Sequence, residues 1–426
     1  MKEIFKNLIK DFIRREIKVK TRDYSIPTDT QKIVSLVGIR RCGKTYLLFQ
    51  LINKLREKVP RENIIYINFE DDRLSGLKLN DLDNLINGYY ELYPQKRNEK
   101  IYLFLDEIQE VNEWEKFVRR IYDNYNINLF VTGSSSKLTS KEIASSLRGR
   151  TISYEVFPLS FKEFLSFKEI EIDLYSSESR FYIKNAFYEY TNFGGFPEVA
   201  LEKDEEVKRR ILSDYTALII YKDVAERYEL KNLNLLKFIV RNSFKNPSTL
   251  MSYNKLYNDL KSMGYQLSKE TLINYFGYLE DIYALFLIPV YRWSVKEQVR
   301  NPKKIFIADN GFKTIHSLEL ENDYSKLYEN LVFTNLRRKY KEIFYLLEDK
   351  EIDFYLPERK LVINVCYELS FPETLKRELN SLEYWLKKLG LKEAFIITND
   401  DEKELNLGGL KINIIPIWKW LTEFEI

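Results

Sequence analysis

Residues Gly38-Ile39-Arg40-Arg41-Cys42-Gly43-Lys44-Thr45 fill every fixed position of the pattern G-x-x-x-x-G-K-[ST]. Glycines let the backbone curl so that successive N–H groups face phosphate oxygens at a helix start. Lys44 then reaches the β and γ phosphates, and the Thr45 hydroxyl holds Mg²⁺. The apolar run Ile33 to Leu36 precedes the motif and a leucine-rich helical pattern follows it, which is the context such a cradle requires. Further along, IYLFLDEIQEV ends an apolar strand in Asp106 and Glu107. There Asp106 would hold the Mg²⁺ shell and Glu107 would polarise a water, so the added glutamate implies hydrolysis as well as binding. NLFVTGSSS ends in hydroxyls that could meet the γ-phosphate or water; Ser134 is the first candidate and Thr132 the alternative. Arg148 and Arg150, in SSLRGR, come just before the last expected core strand. Arginine neutralises charge on a transferring phosphoryl group, either within one subunit or across an interface. The ligands these residues imply are ATP and Mg²⁺.

Positioning such groups requires strands and helices in alternation, and the chain shows them from about Gln31 to Val156. KIVSLVG, NIIYINF, IYLFLDE, NLFVTGS and TISYEVF have strand length, with helical-period segments between them. This predicts an α/β core, a parallel sheet covered by helices, over residues 1–156. A helical region over 157–245 should follow. Residues 246–323 read as two helices separated by a turn at Gly264, the second capped by Ser268 and Thr271, and then two strands joined by the polar loop SVKEQVRNP. That is a winged-helix-like pattern. Residues 324–426 read as a further mixed α/β domain. No internal repeat or low-complexity segment is found.

Composition removes several function classes. The chain has 426 residues, 67 basic against 64 acidic, and a net charge of +3, so charge alone does not call for a nucleic-acid partner. Its two cysteines, Cys42 and Cys366, are far apart and lack metal-ligand spacing, which suits a reducing cytoplasm. The single histidine, His316, is read as structural, because histidine-based metal sites and nucleophile triads need supporting residues. The charged amphipathic start lacks the apolar core of a secretory signal, and no stretch is long and apolar enough for a membrane span, so no membrane partner is expected.

The runs GIRRCGKT, LFLDEIQ, VTGSSS, LRGR and FPLSFKEF resemble the archaeal and bacterial AAA+-like P-loop ATPases that carry a winged helix and a C-terminal nuclease-like domain. The resemblance covers nearly the whole chain. It implies a catalytic glutamate and three uses for the nucleotide: driving DNA association or remodelling, switching a protein-binding surface, or gating a nuclease. Duplex DNA, a protein partner and a homo-oligomer are the partners to expect. Lys261, Lys269, Arg292, Lys296, Arg300, Lys303 and Lys304 lie near the expected recognition helix and wing, where they would meet phosphates.

EIDFYLPERKLVINVCYEL resembles the PD-(D/E)XK nuclease core, in which one strand presents Asp and the next an acid-x-Lys. The resemblance matches Glu329 to the preceding acidic helix and Asp353 to the first-strand carboxylate. Asn364-Val365-Cys366 stands where acid-x-Lys belongs, so a degenerate site is expected, with Glu368 as a partial replacement for the missing acid.

Overall fold

The computed structural model describes residues 1–133, 147–317 and 323–423. It divides into two compact units, Met1–Phe157 and Pro158–Ile426.

In the first unit α1 (Lys2–Arg14) precedes a β/α alternation: β1 (Ile33–Val37), α2 (Lys44–Arg56), β2 (Ile64–Asn68), α3 (Asp83–Leu92), β3 (Ile101–Asp106), α4 (Trp114–Asn124), β4 (Ile127–Gly133) and β5 (Thr151–Glu155). All five strands run parallel in the order β2-β3-β4-β1-β5. β1 and β3 are buried at every position, as expected of inner parallel strands covered on both faces. The three- and four-residue spacing of Leu47, Leu48, Leu51, Ile52 and Leu55 turns one face of α2 into the core. α1 does the same with Phe5, Ile9 and Phe12, and the Phe12 ring stacks on Tyr66 at 4.6 Å. Parallel order puts the C-terminal ends of β1, β3 and β4 on one edge of the sheet. That edge receives Gly38, Asp106, Glu107 and Thr132.

The second unit opens with helices α5 (Phe161–Phe167), α6 (Ser177–Phe193), α7 (Pro197–Leu201), α8 (Glu205–Leu218) and α9 (Leu233–Lys245). Ser160 and Glu163 form a reciprocal capping box at the start of α5. Next come β6 (Thr249–Met251), α10 (Tyr253–Ser262), α11 (Lys269–Asp281), β7 (Leu285–Pro289), α12 (Val295–Arg300) and β8 (Lys303–Ile307), with an antiparallel sheet in the order β6-β8-β7. Ser268 accepts the Thr271 N–H and caps α11 as its sequence suggests, and Gly264 takes the left-handed turn at φ 87°. The segment read as a polar loop winds the short helix α12 instead. Four of its six residues, Lys, Glu, Gln and Arg, are good helix formers.

After α13 (Gly311–His316), the chain forms α14 (Tyr324–Lys339), β9 (Phe344–Leu347), β10 (Glu351–Leu356), β11 (Leu361–Val365), α15 (Pro372–Leu389), β12 (Glu393–Thr398), β13 (Lys403–Leu407), β14 (Leu410–Pro416) and α16 (Ile417–Glu423). These strands form one mixed sheet, β13-β14-β12-β11-β10-β9. One face packs on Leu331, Phe333 and Trp420, the other on Leu382, Trp385 and Leu386 of α15. Among the described residues no helix is long and apolar enough to cross a membrane.

Candidate nucleotide site and C-terminal carboxylate cluster

The loop after β1 is shaped by close approach. A Cβ on Gly38, at φ 150°, would sit 2.1 Å from the Val156 carbonyl oxygen, so only glycine fits. Gly43, at φ 99°, is the residue from which α2 starts. Lys44 is buried, and its Nζ donates to the Gly38 and Ile39 carbonyls at 3.0 and 3.1 Å. Arg40 pairs with Glu70 at 3.2 Å, Arg41 adopts a left-handed φ of 67°, and Cys42 is buried.

Asp106 ends β3 fully enclosed. Its Oδ2 accepts the Tyr66 hydroxyl at 2.8 Å and its Oδ1 accepts the Thr132 hydroxyl. Burial raises its carboxyl above the usual range, while hydrogen bonds from Thr132, Tyr66 and Thr45 act the other way. The Glu107 N–H donates to Thr132 Oγ1 at 3.0 Å, so one hydroxyl ties both acidic residues to β4. Glu107 has a left-handed φ of 53°, which turns the chain sharply as it leaves the strand. Gln109 Nε2 donates to Glu107 Oε2 at 2.5 Å.

The Thr45 hydroxyl lies close enough to the Asp106 carboxyl to favour its ionised form, and this all-oxygen pair suits a hard divalent cation such as Mg²⁺. The glycine-shaped loop at the start of α2 suits phosphate. The structure thus brings Gly38, Lys44, Thr45, Asp106, Glu107 and Thr132 to one edge. Ser134 lies outside the described residues.

Arg148 and Arg150 are not at this edge. The Arg150 carbonyl accepts the Ile33 N–H at 2.9 Å, level with the start of β1, whereas the glycine loop leaves its end. Five residues at ~3.3 Å each separate Ile33 from Gly38, roughly 16 Å. Arg150 pairs with Asp123 at 3.0 Å, and exposed Arg148 lines a basic surface pocket with Lys116, Arg119 and Arg120. The within-subunit reading of the two arginines is therefore corrected: the sheet lies between them and the loop.

Three residues of the nucleotide edge carried no role in the sequence reading. Gln109 and Tyr66 hold the two carboxylates. Buried Arg22 donates to the Cys42 carbonyl at 2.8 Å and the Phe157 carbonyl at 3.0 Å. Gln109 stood within a quoted motif; Tyr66 and Arg22 gave no signal, because only the tertiary fold brings them near.

In the second unit Glu329 on α14 and Asp353 on β10 do come together, with Glu351, around Lys304 of β8. Lys304 is buried there, which corrects its assignment to phosphate contacts. Arg292 is also tied down, donating to the Leu347 carbonyl at 2.6 Å. Asn364 Oδ1 accepts the Asp353 N–H at 3.1 Å, and its Nδ2 donates to Glu378 at 2.7 Å. Cys366 packs against Leu382 and Trp385 rather than the carboxylates. β11 stops at Val365, so exposed Glu368 turns to Ser370 and does not replace the missing acid. His316 is partly enclosed beside Phe244; burial and then the nearby Arg241 lower its pKa to about 4, so it is neutral and structural.

A five-stranded parallel sheet with a glycine loop after β1 and an acidic pair after β3 defines the P-loop class, and residues 30–165 match the family described as AAA domain. Residues 184–323 match a domain of unknown function, DUF8612. The uncharacterized protein MJ1544 of Methanocaldococcus jannaschii is 39% identical over 98% of this chain and 95% of its own length. An uncharacterized protein of Haemophilus influenzae is 32% identical over 92% of this chain and 94% of its own. The chain belongs to the same family as these two proteins. Among solved structures, Aeropyrum pernix ORC1 in complex with DNA aligns at TM-score 0.32 and 12% identity, covering 75% of this chain and 91% of that one. AMPPCP-bound DnaA of Aquifex aeolicus aligns at TM-score 0.26 and 13% identity, covering 66% and 86%.

Proposed function

We propose that the protein is a Mg²⁺-dependent, AAA+-like ATPase of the cytoplasm that couples ATP binding and hydrolysis to DNA association or remodelling. One observation carries the ATPase reading: Thr132 Oγ1 links Asp106 and Glu107 at the edge that also presents Lys44 and Thr45. Bound Mg²⁺ would supply positive charge to the β and γ oxygens. Lys44 binds phosphate, Thr45 and Asp106 hold the ion, and Glu107 takes a proton from the attacking water. Lys44→Ala should abolish ATP turnover through lost nucleotide binding. Glu107→Gln should retain ATP and lose about 10²- to 10⁴-fold in kcat. Wild-type turnover in Glu107→Gln would remove it as the base.

The DNA reading rests on the order α9-β6-α10-α11-β7-α12-β8, which resembles a winged helix with a short helix in its wing, and on the exposure of Lys261, Lys269, Lys296 and Arg300. Stimulation of turnover by duplex DNA supports it. A second reading, an ATP-controlled switch that binds a protein, is favoured by the apolar wing: Trp293, Val295 and Val299 are 91%, 71% and 67% exposed. We read the C-terminal domain as a restriction-endonuclease-like fold without cleavage chemistry, because Asn364 and Cys366 replace the acid and the lysine. Linear and branched DNA should survive incubation with Mg²⁺ or Mn²⁺; cleavage lost in Asp353→Ala would make the protein an ATP-gated nuclease.

A further inference from the structure

Lys304 Nζ lies 2.8 Å from Asp353 Oδ1, 2.9 Å from Glu351 Oε1 and 3.3 Å from Glu329 Oε2. An ammonium carries three N–H donors, and three carboxylates from α14 and β10 face them. The Lys304 side chain is only 4% exposed. Burial acts to lower its pKa, but the charges of Asp353, Glu329 and Glu351 prevail and raise it. Burial likewise raises the Glu329 carboxyl well above its usual range.

The strand that delivers Lys304 is fixed to the same helix that delivers Glu329. Asn330, fully enclosed on α14, accepts the Ile307 N–H at 2.9 Å and donates to the Ile307 carbonyl at 3.0 Å, as a neighbouring strand would. Asp353 is held from its other side, where Oδ2 accepts the Val365 N–H at 2.8 Å. The separations at Nζ are those of an ammonium. Oxygen ligands approach Mg²⁺ or Ca²⁺ to about 2.0–2.6 Å. Among the described residues, no group of three or more His, Cys, Asp or Glu is arranged to hold a metal ion.

We propose that the cluster of Glu329, Glu351 and Asp353 is a cation site whose resident cation is the Lys304 ammonium, and that this internal charge keeps divalent metal out. The lysine is supplied from β8, far in sequence from the strand that would carry acid-x-Lys. It balances carboxylates that otherwise repel one another. Its removal leaves those charges uncompensated and open to an external ion.

Mn²⁺ is the probe, added to the full chain without nucleotide. Uptake is counted by paramagnetic resonance, and thermal unfolding is followed at rising Mn²⁺ concentration. Wild type should take up no Mn²⁺ that Asp353→Asn removes. Lys304→Met should unfold at lower temperature, bind one Mn²⁺ per chain, and regain stability as Mn²⁺ rises. Both gains should vanish in Lys304→Met/Asp353→Asn. Two results overturn the proposal: a wild-type Mn²⁺ site that Asp353→Asn abolishes, or a folded Lys304→Met protein as indifferent to Mn²⁺ as wild type. If Lys304→Met does not fold, Lys304→Met/Glu329→Gln, which removes one unbalanced carboxylate, is titrated against the same two criteria.

Discussion

Gln109 Nε2 holds Glu107 Oε2 at 2.5 Å, and both residues are buried beyond the end of β3. The remaining Gln109 oxygen, Oε1, is buried and has no hydrogen-bond partner. If Glu107 is the proposed base, a buried amide that restrains it on one side and keeps an unsatisfied acceptor on the other should orient both carboxylate and water. Gln109→Leu should therefore lower kcat and leave the KM for ATP near wild type, with Gln109→Glu failing to rescue because it repels Glu107. Steady-state ATP kinetics decide this; unchanged kcat in Gln109→Leu would make the bond structural only.

The arginines at the opposite edge give a prediction about assembly. With the Arg150 backbone level with the start of β1, roughly 16 Å of strand from the glycine loop at its end, and Arg148 lining the same surface pocket, action on a γ-phosphate calls for a neighbouring copy. The double alanine variant should lose turnover while retaining ATP binding. Mixing it with Lys44→Ala should restore part of the activity, since each supplies what the other lacks. Turnover per chain that does not vary with protein concentration, together with no restoration on mixing, would end the interface role.

DNA binding through the wing should depend on Arg300 and Lys303 and not on Lys304. Neutralising the first two should reduce the steepness with which affinity falls as salt rises, by about one phosphate contact each. An unchanged salt dependence, or no binding at low salt, would favour the protein-binding switch and its apolar wing.

Asp309 predicts a pH effect on stability. It is enclosed between two backbone donors, accepting the Gly195 N–H at 2.7 Å and the Gly311 N–H at 2.9 Å. Burial raises its carboxyl to about 7, against those donors and the charge of Arg338. An unfolded Asp titrates near ~3.9, so the folded state holds the proton more tightly. The resulting stabilisation is complete below pH ~4 and lost as pH rises to about 7. Urea unfolding should show stability declining across that window, with the decline absent in Asp309→Asn. A flat wild-type profile would mean that the two N–H donors keep Asp309 ionised throughout.

The nucleotide edge was legible because its signals are local. A glycine at Gly38 and a carboxylate at Asp106 are each fixed by the turn or strand that carries them, and parallel order brings strand ends together. The helix pair α10–α11 was legible for the same reason, through the Ser268 cap and the Gly264 turn. Charge gave less away. Lys304 reads like its neighbour Lys303, and only the packing of α14 and β10 against β8 shows that one is buried and the other half-exposed. The hairpin β13–β14 was missed although Gly408-Gly409, both at positive φ, mark its two-residue turn. Its first strand is an almost wholly exposed edge and lacks the apolar alternation that announces a strand.

Arg22 joins two carbonyls that lie far apart in sequence: that of Cys42, inside the glycine loop, and that of Phe157, where the chain leaves the first unit. A planar guanidinium cannot turn toward one acceptor without turning away from the other. One side chain therefore ties the glycine loop to the stretch that follows β5, and Gly38 passes the Val156 carbonyl so closely that a Cβ would not fit. A shift of the loop that moves the Cys42 carbonyl therefore acts, through a single guanidinium, on the carbonyl of Phe157, the last residue of the first unit.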